Sequence, residues 1–123
     1  MSETASEVIE DKKVITLKPS NDKGGKKKFM VIMPAKKLTN GKLSKRTKII
    51  RFGSQGFEDF TTHKDEKRRL RYVTRHDGGN ENWNDINTPA FWSRWLLWNK
   101  PSIEESIADI EEKHPEYRIN YER

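Results

Sequence analysis

One tryptophan-rich segment limits what this chain can fold into. Residues 87–102 read Asn-Thr-Pro-Ala-Phe-Trp-Ser-Arg-Trp-Leu-Leu-Trp-Asn-Lys-Pro-Ser and hold three of the four tryptophans. Because only 32% of the chain is hydrophobic and 36% is charged, this segment carries much of the apolar area available for a core. That area must be buried inside the protein or against a partner. A central place in the core is the favoured interpretation, and an aromatic contact surface that includes Trp83 or Trp98 is the alternative.

Three helices are predicted in the second half of the chain. Thr88 and Pro89 are typical of a helix start, and the Asn-Lys-Pro at 99–101 ends that helix. Ser102 and Glu105 form a capping-box pattern for the next helix, with a buried stripe of Ile103, Ile107 and Ile110.

An earlier helix is predicted over about residues 63–76, with Thr62 as its N-cap. At about 100° per residue, Leu70 and Val73 lie opposite a basic face. A solvated surface and a docking surface for phosphates or for an acidic protein are both open interpretations of that face, which consists of Lys64, Lys67, Arg68, Arg71 and Arg75.

The first half of the chain favours strands. Residues 29–33 and 47–52 are β-favouring, and the turn signal at 40–41 lies between them. This pattern predicts a hairpin with a long basic loop, or two hairpins with a short strand near residues 42–43. The alternation in residues 117–121 predicts an edge strand, whereas residues 1–27 are predicted to be a flexible polar arm.

These signals together predict an α+β fold. A small antiparallel β-hairpin or meander would pack against three short α-helices, with an extended N-terminal arm over 1–27 and a single compact domain over 28–121. The predicted core consists of Val31, Ile49, Phe52, Phe57, Phe60, Leu70, Val73, Trp92, Trp95, Leu96, Ile103, Ile107 and Ile110.

Charge is concentrated near the N-terminus. Residues 12–51 hold fourteen lysines or arginines and a single acidic residue, whereas residues 101–123 hold seven acidic residues and three basic ones. Nearly unopposed positive charge favours contact with a polyanion, although a solvated charge run is the usual alternative. Since lysine outnumbers arginine here, recognition of a specific base sequence is not expected. The candidate contact residues are Lys26, Lys27, Lys28, Lys36, Lys37, Lys45 and Arg46.

Several kinds of site are not predicted. The chain has no cysteine, and the spacing of His63, His76 and His114 gives no metal-ligand set. No catalytic residue, cofactor or small-molecule substrate is predicted; a nuclease is a distant alternative. No segment approaches the ~20 apolar residues of a membrane span, and residues 1–10 do not have the pattern of a signal peptide.

Four sequence strings resemble a known family. They are Ile-Arg-Phe-Gly-Ser-Gln-Gly-Phe-Glu-Asp-Phe-Thr-Thr-His-Lys-Asp at 50–65, Arg-Tyr-Val-Thr-Arg-His at 71–76, Glu-Asn-Trp at 81–83 and Ala-Phe-Trp-Ser-Arg-Trp-Leu-Leu-Trp-Asn-Lys-Pro-Ser at 90–102. Residues 47–113 resemble small uncharacterised proteins of nucleocytoplasmic large DNA viruses, the giant viruses. The family has no established activity, so the resemblance supplies no catalytic residues.

The resemblance implies a viral setting. The leading hypothesis is a non-enzymatic, virion-associated structural or accessory protein that acts through contacts with viral structural proteins, such as a minor capsid or cementing protein. The alternative is a protein that binds nucleic acid without sequence preference through its basic arm and basic helix face. Either role places the protein in the virion, or in the nucleus or cytoplasm of the host cell, and not among secreted proteins.

Overall fold

The computed structural model describes residues 13–21, 24–35, 39–42, 47–76 and 83–123. Its strands are β1 (Lys13–Pro19), β2 (Lys27–Ile32), β3 (Ile49–Ser54) and β4 (Tyr117–Tyr121). Its α-helices are α1 (Phe60–His63), α2 (Glu66–His76), α3 (Pro89–Trp92) and α4 (Ile103–Lys113), and a π-helical turn, Ser93–Leu97, follows α3 directly. In these ranges, no helix combines the length and the apolar character that crossing a membrane requires.

The strands form one mixed sheet in the order β3-β2-β1-β4. β2 pairs antiparallel with both β1 and β3, and β4 runs parallel to β1. The predicted α+β class and the antiparallel pairing of the two hairpin strands are therefore confirmed. The sheet is larger than a hairpin, because β1 and β4 extend it on one side. The suggested short strand near residues 42–43 lies partly outside the described residues, and Lys42 is not in a strand.

β1 corrects the prediction of a flexible arm over residues 1–27. That prediction is wrong for residues 13–19, since β1 pairs with a neighbour on each side and its Ile15 and Leu17 are fully buried. The short apolar run is too small to fold alone, but a central strand gains hydrogen bonds on both edges and burial on one face. The sheet thus begins before residue 28, where the predicted domain starts; residues 1–12 lie outside the described residues.

The tryptophan-rich segment packs on one face of the sheet. Trp92 is fully buried, its ring centroid lies 6.1 Å from that of Phe52 on β3, and its indole Nε1 donates to the Ile86 carbonyl at 2.8 Å. Leu96 and Leu97 are buried beside it, while Trp95 is half-buried against the same core. The favoured interpretation of this segment, as the centre of the core, therefore describes Trp92 correctly.

Three residues predicted to be in the core are exposed. Ile49, Phe57 and Leu70 have 43%, 72% and 51% of their surface in solvent. In β3 the inward positions are Ile50 and Phe52, so Ile49 points to the opposite face, as the alternation of a strand requires. Phe57 lies outside the core because it is in the loop before α1, which begins at Phe60. Leu70 lies outside the core because α2 packs through other residues.

The helix predicted over 63–76 is divided into two. Its capping residue is not Thr62 but Asp59, whose side chain accepts from the Thr61 amide at 2.9 Å and caps α1. Lys64 then adopts a left-handed backbone conformation with φ of 56°, which ends α1. Asp65 caps the start of α2, because its Oδ1 accepts from the Lys67 amide at 3.0 Å.

α2 packs through a face that differs from the predicted one. Tyr72 and Arg69 are partly buried, Arg69 lying 5.6 Å from the centroid of the Phe60 ring, whereas Leu70 faces solvent. Aromatic and cation–π contacts, rather than aliphatic ones, therefore attach this helix. The prediction from aliphatic residues is therefore wrong for Leu70, whereas Val73 is partly buried.

Candidate functional site

A groove of about 480 Å³ lies between the sheet and α2. One wall comes from β2, β3 and the loop after β3, the other from α2, and the tryptophan-rich segment forms the floor. We call it the basic groove, and its lining residues are Lys27, Lys28, Phe52, Gly53, Ser54, Phe57, Glu58, Asp59, Arg68, Tyr72, Arg75, His76, Pro89, Ser93, Leu97 and Trp98.

Gly53 allows the sheet to approach the floor of this groove. Its φ of +77° is a conformation that favours glycine, and a Cβ placed there would lie 2.9 Å from Cδ1 of Leu97. In the π-helical turn each amide donates to the carbonyl five residues earlier, one residue further back than in an α-helix. Leu96 and Leu97 are both buried in this turn. The same turn delivers Trp98 to the groove, since the Trp98 amide donates to the Ser93 carbonyl at 3.1 Å.

Four aromatic rings from α1, α2 and the segment after the π-helical turn contact one another in series beside the groove. Tyr72 and Trp98 are parallel within 1° at a centroid distance of 4.3 Å, and His76 lies 4.4 Å from Tyr72. On the other side of the series, His63 lies 5.3 Å from Trp98. We call these four rings the aromatic stack. Trp98, predicted as a possible aromatic contact, is therefore half-buried and already stacked within the protein.

Two acidic residues neutralise part of the groove's positive charge. Lys28 Nζ lies 2.8 Å from Asp59 Oδ2, and this pair is nearly enclosed, with 16% and 3% of the two side chains exposed. Arg68 Nη1 lies 3.3 Å from Glu58 Oε1 in a more exposed pair. Lys28 is thus chiefly a structural residue, while Arg68 is held at the groove by a carboxylate that an incoming anion can displace.

Lys27 and Arg75 supply the groove's uncompensated charge. They lie on opposite walls, and neither has a carboxylate partner among the residues that the structure describes. A ligand between the walls would therefore meet positive charge from two directions. Lys67 and Arg71, on the same helix, are exposed on its solvent side, and Arg71 borders a shallow depression formed with Leu70, Thr74 and Arg75.

The other predicted contact residues are dispersed. Lys64 precedes α2 and is not part of it, and its Nζ donates to the Pro101 carbonyl at 2.6 Å, which joins two segments of the fold. Lys26 is exposed just before β2. The calls on Lys36, Lys37, Lys45 and Arg46 fall outside the described residues. Among those predicted basic residues that the structure describes, Lys27, Lys28, Arg68 and Arg75 line one groove.

Trp83 lies away from the basic groove, beside a small cavity of about 140 Å³. Its carbonyl accepts from Trp95 Nε1 at 2.8 Å, and the Arg94 guanidinium stands 5.4 Å from the Trp83 ring and 4.2 Å from the Trp95 ring. Burial lowers the pKa of Arg94 below its ordinary value, and Nη1 donates to the Trp98 carbonyl at 2.9 Å. These contacts make Trp83 a packing residue and place the Arg94 guanidinium between two tryptophan rings.

Sequence reasoning missed the groove's aromatic and acidic members. Tyr72 and His76 follow Arg68 at intervals of four residues, so they share a helix face with it, and that spacing was a usable signal. Phe57 was assigned to the core, although it lines the groove with 72% of its surface exposed. No local pattern marks the contact between Tyr72 and Trp98, because it joins residues that are far apart in the chain.

The described part of the chain contains no group of three or more His, Cys, Asp or Glu residues placed to hold a metal ion. The family model of the Family of unknown function (DUF5754) matches residues 15–76. This range runs from β1 to the end of α2, so it includes both walls of the basic groove and stops before the tryptophan-rich floor. No curated protein and no solved structure matches the chain significantly.

Proposed function

The chain belongs to the Family of unknown function (DUF5754), and we propose that it is a non-enzymatic protein that binds nucleic acid without sequence preference through the basic groove. One observation carries the proposal: two cations without a carboxylate partner in the described part of the chain, Lys27 and Arg75, lie on opposite walls of a groove that also contains aromatic rings. The groove favours this role over the protein–protein contacts that sequence alone placed first.

Phosphate groups fit this distribution of charge. Lys27 and Arg75 would neutralise phosphates and release their counterions, which is the main source of non-specific affinity for nucleic acids. Arg68 would add a third contact when a phosphate replaces Glu58 at its guanidinium. An acidic protein would also meet these cations, but it would gain less from a groove with exposed aromatic surface.

The absence of sequence preference follows from how the cations are held. Reading a base requires a planar donor fixed in the plane of the base edge. Arg75 has no partner in the described residues that fixes its guanidinium, and Lys27 is a flexible point charge. The groove should therefore discriminate between bases only weakly.

Reversing the groove's charge should abolish most of this binding. We expect Lys27→Glu together with Arg75→Glu to weaken binding to a fluorescein-labelled DNA oligonucleotide at least tenfold at low salt. The slope of log K against log salt should fall by about 2, which is about 1 for each lost phosphate contact. Fluorescence anisotropy titrations at several salt concentrations measure both quantities.

The matched control reverses two exposed charges on β1 and β4, the two strands that do not line the groove. Lys13→Glu with Arg118→Glu makes the same change in net charge on β1 and β4. This variant should retain the salt slope of the parent protein. Equal losses of affinity in the two double variants would show that binding depends on net charge alone and not on the groove, which contradicts the proposal. Failure of the parent protein to bind DNA at low salt would also refute it.

A virion-associated structural role is the second candidate. The depression on the solvent side of α2 combines Leu70, 51% exposed, with Arg71 and Arg75, a mixture suited to an acidic viral structural protein. The resemblance to giant-virus proteins supports this candidate, in which the protein would act in the virion, or in the host nucleus or cytoplasm. Quantitative mass spectrometry of purified virions should find the protein in fixed ratio to the capsid proteins. Its absence from the particles would rule this role out.

A further inference from the structure

We propose that the basic groove accepts single-stranded nucleic acid in preference to a duplex, with an unstacked base placed on the Phe57 ring. This inference rests on the proposed function and specifies its ligand. It is drawn from three properties of the groove: an exposed aromatic ring on one wall, a rigid aromatic stack on the other, and cations on both.

Phe57 is the first property. It is the most exposed large hydrophobic side chain in the described part of the protein, at 72%, and it lines a groove instead of standing alone on a convex surface. Its amide donates to the Ser54 carbonyl at 3.3 Å, so the turn after β3 fixes the backbone that presents the ring. An accessible ring beside cations is the arrangement on which successive bases of a single strand stack.

The aromatic stack is the second property. Tyr72 and Trp98 cover each other's faces at 4.3 Å, and this contact fixes α2 against the floor of the groove. Tyr72 thus lines the α2 wall as a ring held by its stacking on Trp98, while Phe57 lies on the other wall. A base between the two walls would meet one ring that is already ordered, which lowers the cost of binding.

The third property is the position of the charges around a half-open cleft. Lys27 and Arg75 flank about 480 Å³, within the range of about 300–1,000 Å³ typical of clefts that enclose small ligands. A nucleotide can enter a cleft of this size with its phosphates near the cations. A duplex presents its phosphates on the outside and keeps the flat faces of its bases inside, so it could contact the cations but could not stack a base on Phe57.

The test compares two ligands with equal numbers of phosphates. Binding of a labelled oligothymidylate and of a mixed-sequence DNA duplex is measured by fluorescence anisotropy at one salt concentration. We expect the single strand to bind at least tenfold more tightly. Phe57→Ala should weaken binding of the single strand about tenfold, and it should leave binding of the duplex within twofold.

Leu70→Ala is the matched control, because Leu70 is also an exposed apolar residue but lies outside the groove lining. It should change neither affinity, and circular dichroism verifies that both variants remain folded. A duplex bound as tightly as the single strand, or a Phe57→Ala variant that binds the single strand normally, would overturn this inference and leave the proposed function standing. Failure of both ligands to bind at low salt would overturn the proposed function itself.

Discussion

Trp92→Ala should lower the free energy of unfolding by about 3–5 kcal/mol, the range for removing a large buried aromatic side chain. Trp92 has no exposed surface, and its ring contacts Phe52 of β3 and Phe91 of α3. In a chain with so little apolar area, no neighbouring side chain can fill the resulting cavity without leaving its own contacts. Urea denaturation followed by circular dichroism measures the loss.

Two further variants separate the causes of that loss. Trp92→Phe keeps an aromatic ring but removes Nε1, so the Ile86 carbonyl loses the donor at 2.8 Å. We expect this variant to lower the free energy of unfolding by about 1–3 kcal/mol. Phe57→Ala, at an aromatic residue in solvent, should stay within about 0.5 kcal/mol of the parent protein. Equal destabilisation by Trp92→Ala and Phe57→Ala would contradict the position of Trp92 at the centre of the core.

Local signals in the sequence predicted those elements whose stability is largely local. Ser102 caps α4 by accepting from the Glu105 amide at 3.1 Å, and Thr88 caps α3 with Pro89 at its first turn, as their capping patterns indicated. The strand at 117–121 also followed from its alternation. Each of these elements carries its start signal or its periodicity within a few residues, which is why sequence was sufficient.

Contacts between distant segments decided what the sequence could not predict. β1 is a strand because β2 and β4 flank it, and β4 lies about a hundred residues further along the chain. The break at Lys64 and the π-helical turn after Trp92 depend on packing, since neither has a Gly or Pro signal. Both features shape the groove, so the candidate site was less predictable than the fold.

The sequence predicted which charged residues contribute to the candidate site better than it predicted where they lie in the fold. Counting charges identified Lys27 and Lys28, and helix phase identified Arg68 and Arg75. The same helix phase also included Lys64, whose ammonium donates to the Pro101 carbonyl outside the groove. Charge counting also could not distinguish the cations in ion pairs from those without a carboxylate partner in the described residues, and that distinction depends on Glu58 and Asp59. The groove is lined by segments that are distant in the sequence, so its position could not be predicted before the strands and α2 were placed together.

Asp59→Ala should lower the free energy of unfolding by about 3 kcal/mol or more, because it removes a helix cap and a nearly enclosed ion pair at once. The carboxylate caps α1 by accepting from the Thr61 amide at 2.9 Å, and it pairs with Lys28 Nζ at 2.8 Å, where only 3% of the Asp59 side chain is exposed. Loss of a helix cap alone costs about 1 kcal/mol. The remainder comes from the Lys28 ammonium, which would stay largely enclosed without its partner. Urea denaturation of the full chain measures the total.

Asp65→Ala provides the matched control, because Asp65 caps α2 from an exposed position: its Oδ1 accepts from the Lys67 amide at 3.0 Å. This variant should therefore lose only about 1 kcal/mol. Adding Lys28→Met to Asp59→Ala should recover most of the difference between the two aspartate variants, since the added change removes the unpaired ammonium. Equal losses in Asp59→Ala and Asp65→Ala, with no recovery from Lys28→Met, would show that the ion pair contributes nothing and that Asp59 acts as a cap alone.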